Sequence, residues 1–146
     1  MLIIGSHVGY KKDTGLLGSL EEALSYNANT FMFYTGAPQN TMRSPINKEQ
    51  VEEAFVRMKE VGIDPNTVIV HAPYIINLAN GDPEKFEFSC NFLKQELKRV
   101  HDCKMHYLVL HPGSHVGQGK EIGIKNIING LNEILEDDTS DVTILL

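Results

Sequence analysis

Among the residues of this chain that can do chemistry, the six histidines are placed most informatively. His7, His71 and His111 each close a short apolar run: Leu2-Ile3-Ile4, Val68-Ile69-Val70 and Leu108-Val109-Leu110. Imidazoles at the ends of neighbouring strands suit zinc or a similar borderline cation. A single strand-end histidine is most simply a hydrogen-bonded core residue, but His71 and His111 on adjacent strands could reach one ion. Pro73 and Pro112 stiffen the backbone beside each of them. His7 is open between supporting a ligand and packing. His115, in the loop after His111, could support a ligand or touch a phosphate. His101 and His106 flank a predicted helix end and read as solvated.

A second constellation follows His71. Tyr74 and Ile75 fall on a loop at the same end of the sheet. An exposed aromatic beside an aliphatic side chain can act as a wedge that unstacks bases; the plainer reading is a loop anchored on the next helix. The segment Gly36 to Arg43 is rich in hydrogen-bonding groups and ends in a cation. Taken alone it is an ordinary polar loop.

The elements that must hold these residues follow from the apolar pattern. Five short runs begin near residues 2, 30, 67, 107 and 142 and are continuous rather than alternating, as in parallel strands buried on both faces. Helical periods lie between them. Val51, Ala54, Phe55, Met58 and Val61 form one stripe, with Asn47 and Gln50 as a capping box and Gly62 as the stop. Asp82-Pro83 opens the next helix, whose stripe is Phe86, Cys90, Leu93, Leu97 and Val100. A fourth stripe runs through Ile124, Ile127, Ile128, Leu131, Ile134 and Leu135, and a shorter helix spans Leu16 to Tyr26. The order is β1-α1-β2-α2-β3-α3-β4-α4-β5, an α/β chain of right-handed βαβ units. A doubly wound sheet or a (β/α)8 barrel accepts that order. The segment Gly5-Ser6-His7-Val8-Gly9 lacks the glycine fingerprint usual in the former. In a barrel the C-terminal strand ends carry the active site.

Composition sets the outer bounds. With 146 residues, 42% hydrophobic and 22% charged, the chain has the makings of one domain with a real core. It is too apolar to be disordered, and no apolar run approaches the roughly 20 residues of a membrane span. Its start lacks the basic and apolar regions of a secretory signal. Two cysteines, Cys90 and Cys103, are too few for a disulfide framework, so a cytoplasmic setting is expected. A formal net charge of −6 argues against nucleic-acid binding through bulk charge, not against a local basic groove.

Together, Gly5-Ser6-His7-Val8, Gly36-Ala37-Pro38-Gln39-Asn40, His71-Ala72-Pro73-Tyr74 with Asn77-Leu78, and His111-Pro112-Gly113-Ser114-His115 resemble the endonuclease IV family of apurinic/apyrimidinic endonucleases, in order and spacing along the whole chain. That resemblance implies a TIM barrel holding a cluster of three zinc ions. It implies hydrolysis of the phosphodiester 5′ to an abasic site in double-stranded DNA, with activated water and no protein nucleophile. His71 and His111 would be ligands of one zinc, and Tyr74, Ile75 and Gln39 DNA contacts. Gln39 stands where some members insert an arginine. The remaining ligands belong to later strands, so residues 1–146 read as a single domain, the N-terminal half of a barrel of about 250 residues. Such a half would hold at most a partial zinc site, be inactive alone and self-associate through open sheet edges, whereas the complete enzyme is expected to be monomeric. Two other readings stand beside this one. The first is a xylose-isomerase-like, metal-dependent sugar isomerase or epimerase. The second is a non-catalytic barrel fragment.

Overall fold

Five parallel strands lie side by side in chain order in the computed structural model, which describes residues 2–146. They are β1 (Gly5–His7), β2 (Thr30–Phe33), β3 (Ile69–His71), β4 (Tyr107–Val109) and β5 (Thr143–Leu145). Four helices connect them: α1 (Gly15–Ser25), α2 (Lys48–Val61), α3 (Pro83–Asp102) and α4 (Lys120–Glu136). The strand order never reverses, which removes the doubly wound alternative, since that sheet turns back at a switch point. What stands is four βα steps and a fifth strand of a TIM-barrel wall.

Local chemistry explains the boundaries. The Asn47 side chain accepts from the backbone N–H groups of Glu49 and Gln50, and Gly62 closes α2 in the left-handed region at φ 76°. The capping box is only half made, because the Gln50 amide donates to the Asp13 carbonyl instead. Asp82 caps α3 by accepting from Glu84 and Lys85, with Pro83 in the first turn.

β1 begins three residues later than its apolar run suggests. The Asn29 side chain binds the backbone of Leu2 and Ile4, so that segment runs beside β2 while its own side chains stay exposed. Close approach then sets the register. A Cβ on Gly5 would lie 2.1 Å from the Thr30 carbonyl oxygen, so only glycine pairs there.

The core lies between the sheet and its helices: Phe31, Phe33, Val70 and Leu108 meet Leu16, Leu20, Met58, Leu93 and Leu97. The alternate strand residues Met32, Ile69, Tyr107 and Val109 are half-buried, and β1 is exposed throughout. Burial on both faces is therefore not found; helices cover one face only. The α4 stripe is also split. Ile134 is buried and Ile127 and Leu131 are half-buried, while Ile124, Ile128 and Leu135 face outward.

Candidate functional site

Register brings the histidines together. His71 is the last residue of β3, paired with Val109 of β4, and His111 follows two residues beyond. Their ring centroids lie 5.0 Å apart. His7 ends β1, and its ring stands 6.4 Å from that of His71.

The loops that hold these rings are pinned to each other. Asn77, after β3, accepts from the Ser114 N–H through its side-chain oxygen and donates to the Ser114 carbonyl. The Leu78 N–H donates to the Pro112 carbonyl at 3.0 Å. Gly113 passes so close to Asn77, with φ at 123°, that any Cβ would collide with its amide oxygen. The string His111-Pro112-Gly113-Ser114-His115 is thereby fixed against the loop that follows His71.

Hydrogen bonds assign the tautomers. The His71 Nδ1–H donates to the Ala72 carbonyl at 2.7 Å, which leaves the Nε2 lone pair free. His115 is the reverse case. Its Nδ1 accepts from the N–H groups of Gly117 and Gly119, so Nε2 carries the proton and can donate. Burial lowers the His7 pKa from the ordinary imidazole value, and the nearby His71 lowers it further.

Around this cluster the expected contacts separate. Tyr74 is 59% exposed and does not anchor its loop; Ile76 does that, fully buried, while Ile75 is half-buried against the core. Gln39 is exposed at the turn of the β2–α2 loop. The cation that ends this loop points inward: the Arg43 side chain is only 2% exposed. His106 is exposed, and so is His101, whose Nδ1 meets the Ser140 carbonyl. That contact lies beside the C-terminal ends of α3 and α4, at the end of the sheet where β4 and β5 begin.

Sequence reasoning passed over Tyr34. Its ring centroid is 4.6 Å from that of His7 and 5.0 Å from that of His71. Burial raises its pKa, with a smaller contribution from Tyr74. The signal was available, because Tyr34 closes the β2 run as the histidines close β1, β3 and β4.

In donor chemistry His71 and His111 fit zinc as two imidazole ligands. Among the described residues, no group of three or more His, Cys, Asp or Glu side chains converges to hold a metal ion. Zinc takes three or four protein ligands, more than these two side chains supply.

Comparison with known proteins extends the geometry. The xylose isomerase-like TIM-barrel family matches residues 20–146. A protein of Acholeplasma laidlawii named "Probable endonuclease 4" is 54% identical over 140 residues, covering 96% of this chain and 48% of the relative. Another of that name, from Oceanobacillus iheyensis, is 52% identical over 147 residues, covering 100% and 48%. The chain thus spans about half the length of the curated relatives it matches. Among solved structures, endonuclease IV from Thermus thermophilus superposes with a TM-score of 0.67 at 24% identity, covering 90% of this chain and 47% of that one. A D-tagatose 3-epimerase-like protein gives 0.64 at 16% identity, covering 97% and 51%. At these identities the two structures speak for the fold alone.

Proposed function

The chain belongs to the xylose isomerase-like TIM-barrel family, and from that premise we propose that it serves zinc-dependent cleavage of DNA at the phosphodiester 5′ to an abasic site. The identity of about half its residues to proteins named endonuclease 4 supports this reading. One arrangement carries it: two imidazoles 5.0 Å apart on adjacent strand ends, with an exposed tyrosine three residues beyond the first. The sugar isomerase or epimerase alternative has fold neighbours at 16% identity and below, and nothing in the site favours it.

In this reading His71 and His111 hold one zinc ion, His71 through the Nε2 that its bond to Ala72 leaves free. A zinc ion there supplies positive charge for the phosphate and acidity for water. The rest falls to the chain. His7 and Tyr34 pack the His71 ring in place. The His115 Nε2–H donates to a phosphate oxygen. Tyr74, backed by Ile75, enters the stack where a base is missing, which costs little because no pair is broken. Gln39 offers its amide to the duplex. Residues 1–146 act as one domain, in the cytoplasm, where Cys90 and Cys103 stay free thiols.

The test uses two proteins. Alone, the 146-residue chain should bind abasic duplex with steep salt dependence. It should respond to zinc at the His71 and His111 rings together, and nick nothing. Joined to the part of the Acholeplasma laidlawii protein that it does not match, it should nick abasic duplex when zinc is added, and His71→Ala should abolish both nicking and the zinc response. Full nicking by the His71→Ala chimera, or turnover of sugars instead of DNA, would sink the reading.

A further inference from the structure

Between the β2–α2 loop and α3 lies a buried charged cluster that the proposed chemistry does not use. Glu96 on α3 is fully buried. Its carboxylate accepts from the Arg43 Nε–H and, at 2.8 Å, from the Thr35 hydroxyl. Arg99, one turn further along α3, donates from Nε to the Thr35 hydroxyl, from Nη2 to the Thr35 carbonyl at 2.6 Å, and from Nη1 to the Ser44 carbonyl at 2.7 Å. Arg43 Nη1 gathers the carbonyls of Ala37, Asn40 and Met42, and its guanidinium stands 4.8 Å over the Phe92 ring.

Two cations meet one carboxylate here, Arg43 directly and Arg99 through the Thr35 hydroxyl. The excess charge is spread over five backbone carbonyls, those of Thr35, Ala37, Asn40, Met42 and Ser44, and over an aromatic face. Stability alone is a poor reason for such a cluster, because well-packed apolar side chains commonly do as well. The neighbouring α3 positions, Leu93, Leu97 and Val100, are of that kind. What the cluster supplies is direction. No helix or strand lies between Phe33 and Lys48, yet this segment is tied to α3 at Thr35, at Arg43 and at Ser44.

We propose that Arg43, Glu96 and Arg99 form a positioning device for the strand-end site, acting through Thr35. The proposal rests on the reading that this end of the sheet faces DNA. Thr35 is the junction. On one side it is bonded to Tyr34, whose ring packs against those of His7 and His71. On the other it starts the loop that presents Gln39. A Thr35 held by three hydrogen bonds fixes both the ring packing and the loop path.

Thr35→Val keeps the side-chain volume and removes the two hydroxyl bonds; Thr35→Ser keeps them. In the 146-residue chain, Thr35→Val should speed exchange of the hydrogen-bonded loop amides, those of Asn40 and Met42, by about tenfold, the net worth of two buried hydrogen bonds at the low end of their range. It should shift the ring resonances of His7 and His71 and weaken abasic-duplex binding, while the exchange of α3 amides stays as before. Thr35→Ser should restore all three. If Thr35→Val does not fold, Glu96→Gln takes its place with the same readouts. Loop exchange and ring resonances unchanged in the variant would overturn the proposal. A loosened loop with unchanged binding would uphold the positioning role and overturn the DNA reading instead.

Discussion

One proton decides what His71 can offer. With Nδ1–H held by the Ala72 carbonyl, Nε2 is the only nitrogen able to face a ligand. Burial acts more strongly on three groups away from the site. It pushes the Cys90 thiol up to about 11, the Cys103 thiol up to about 12 and the Tyr10 hydroxyl up to about 12. An unfolded chain would release these protons at the ordinary values of 9.0 for the thiols and 10.0 for tyrosine. Between those values and the raised ones the unfolded state binds fewer protons than the folded state, so stability is complete below about pH 9 and falls as the pH rises towards 12. Thermal melts by circular dichroism should show a steady melting temperature from pH 7 to pH 8.5 and a decline above pH 9. A melting temperature that holds to pH 11 would mean that these groups are hydrated. Single residues of this kind are hard to read from sequence. Glu96 and Arg99 look like ordinary polar positions of a helix, and only the fold shows that they point inward. The histidines were legible because each stands at the end of an apolar run.

At the scale of elements, α3 and α4 carry similar apolar stripes with different fates. The α3 stripe is buried at Cys90, Leu93, Leu97 and Val100, whereas α4 buries Ile134 and leaves Ile124, Ile128 and Leu135 facing outward. Leu97→Ala should cost about 2–5 kcal/mol, the range for a large core side chain cut to alanine. Ile128→Ala should stay within about 0.5 kcal/mol, as surface changes usually do. Urea denaturation of both variants checks this contrast. Equal costs would show that the outer face of α4 is covered in solution. Periodicity correctly marks both helices, because a stripe repeats at helical spacing whatever lies against it. It cannot say what covers the stripe, so it overstates the burial of α4. The same limit explains β1: Leu2, Ile3 and Ile4 have strand-like composition, but the pairing that makes a strand starts where Gly5 lets the backbones meet.

For the whole molecule, apolar surface gathers at two margins. Leu2, Ile3 and Ile4 flank β1 at one; the outer residues of α4 with Leu145 and Leu146 mark the other. Both edge strands also leave backbone groups unpaired on their outer sides. Surfaces of this kind associate, while the net charge of −6 opposes contact. Sedimentation velocity should therefore show association that grows with protein concentration, and grows further as salt screens the repulsion. Ile124→Lys combined with Ile128→Lys should return the chain towards monomer. A single monomeric species at every concentration and salt level would remove the case for these margins as contact surfaces. The unreversed strand order has a different consequence, for synthesis. Each strand pairs with the one made just before it, so no segment leaving the ribosome must wait for a later one to be slotted between partners already joined. Such a wall can be laid down one course at a time from its N-terminal edge, at the pace of translation.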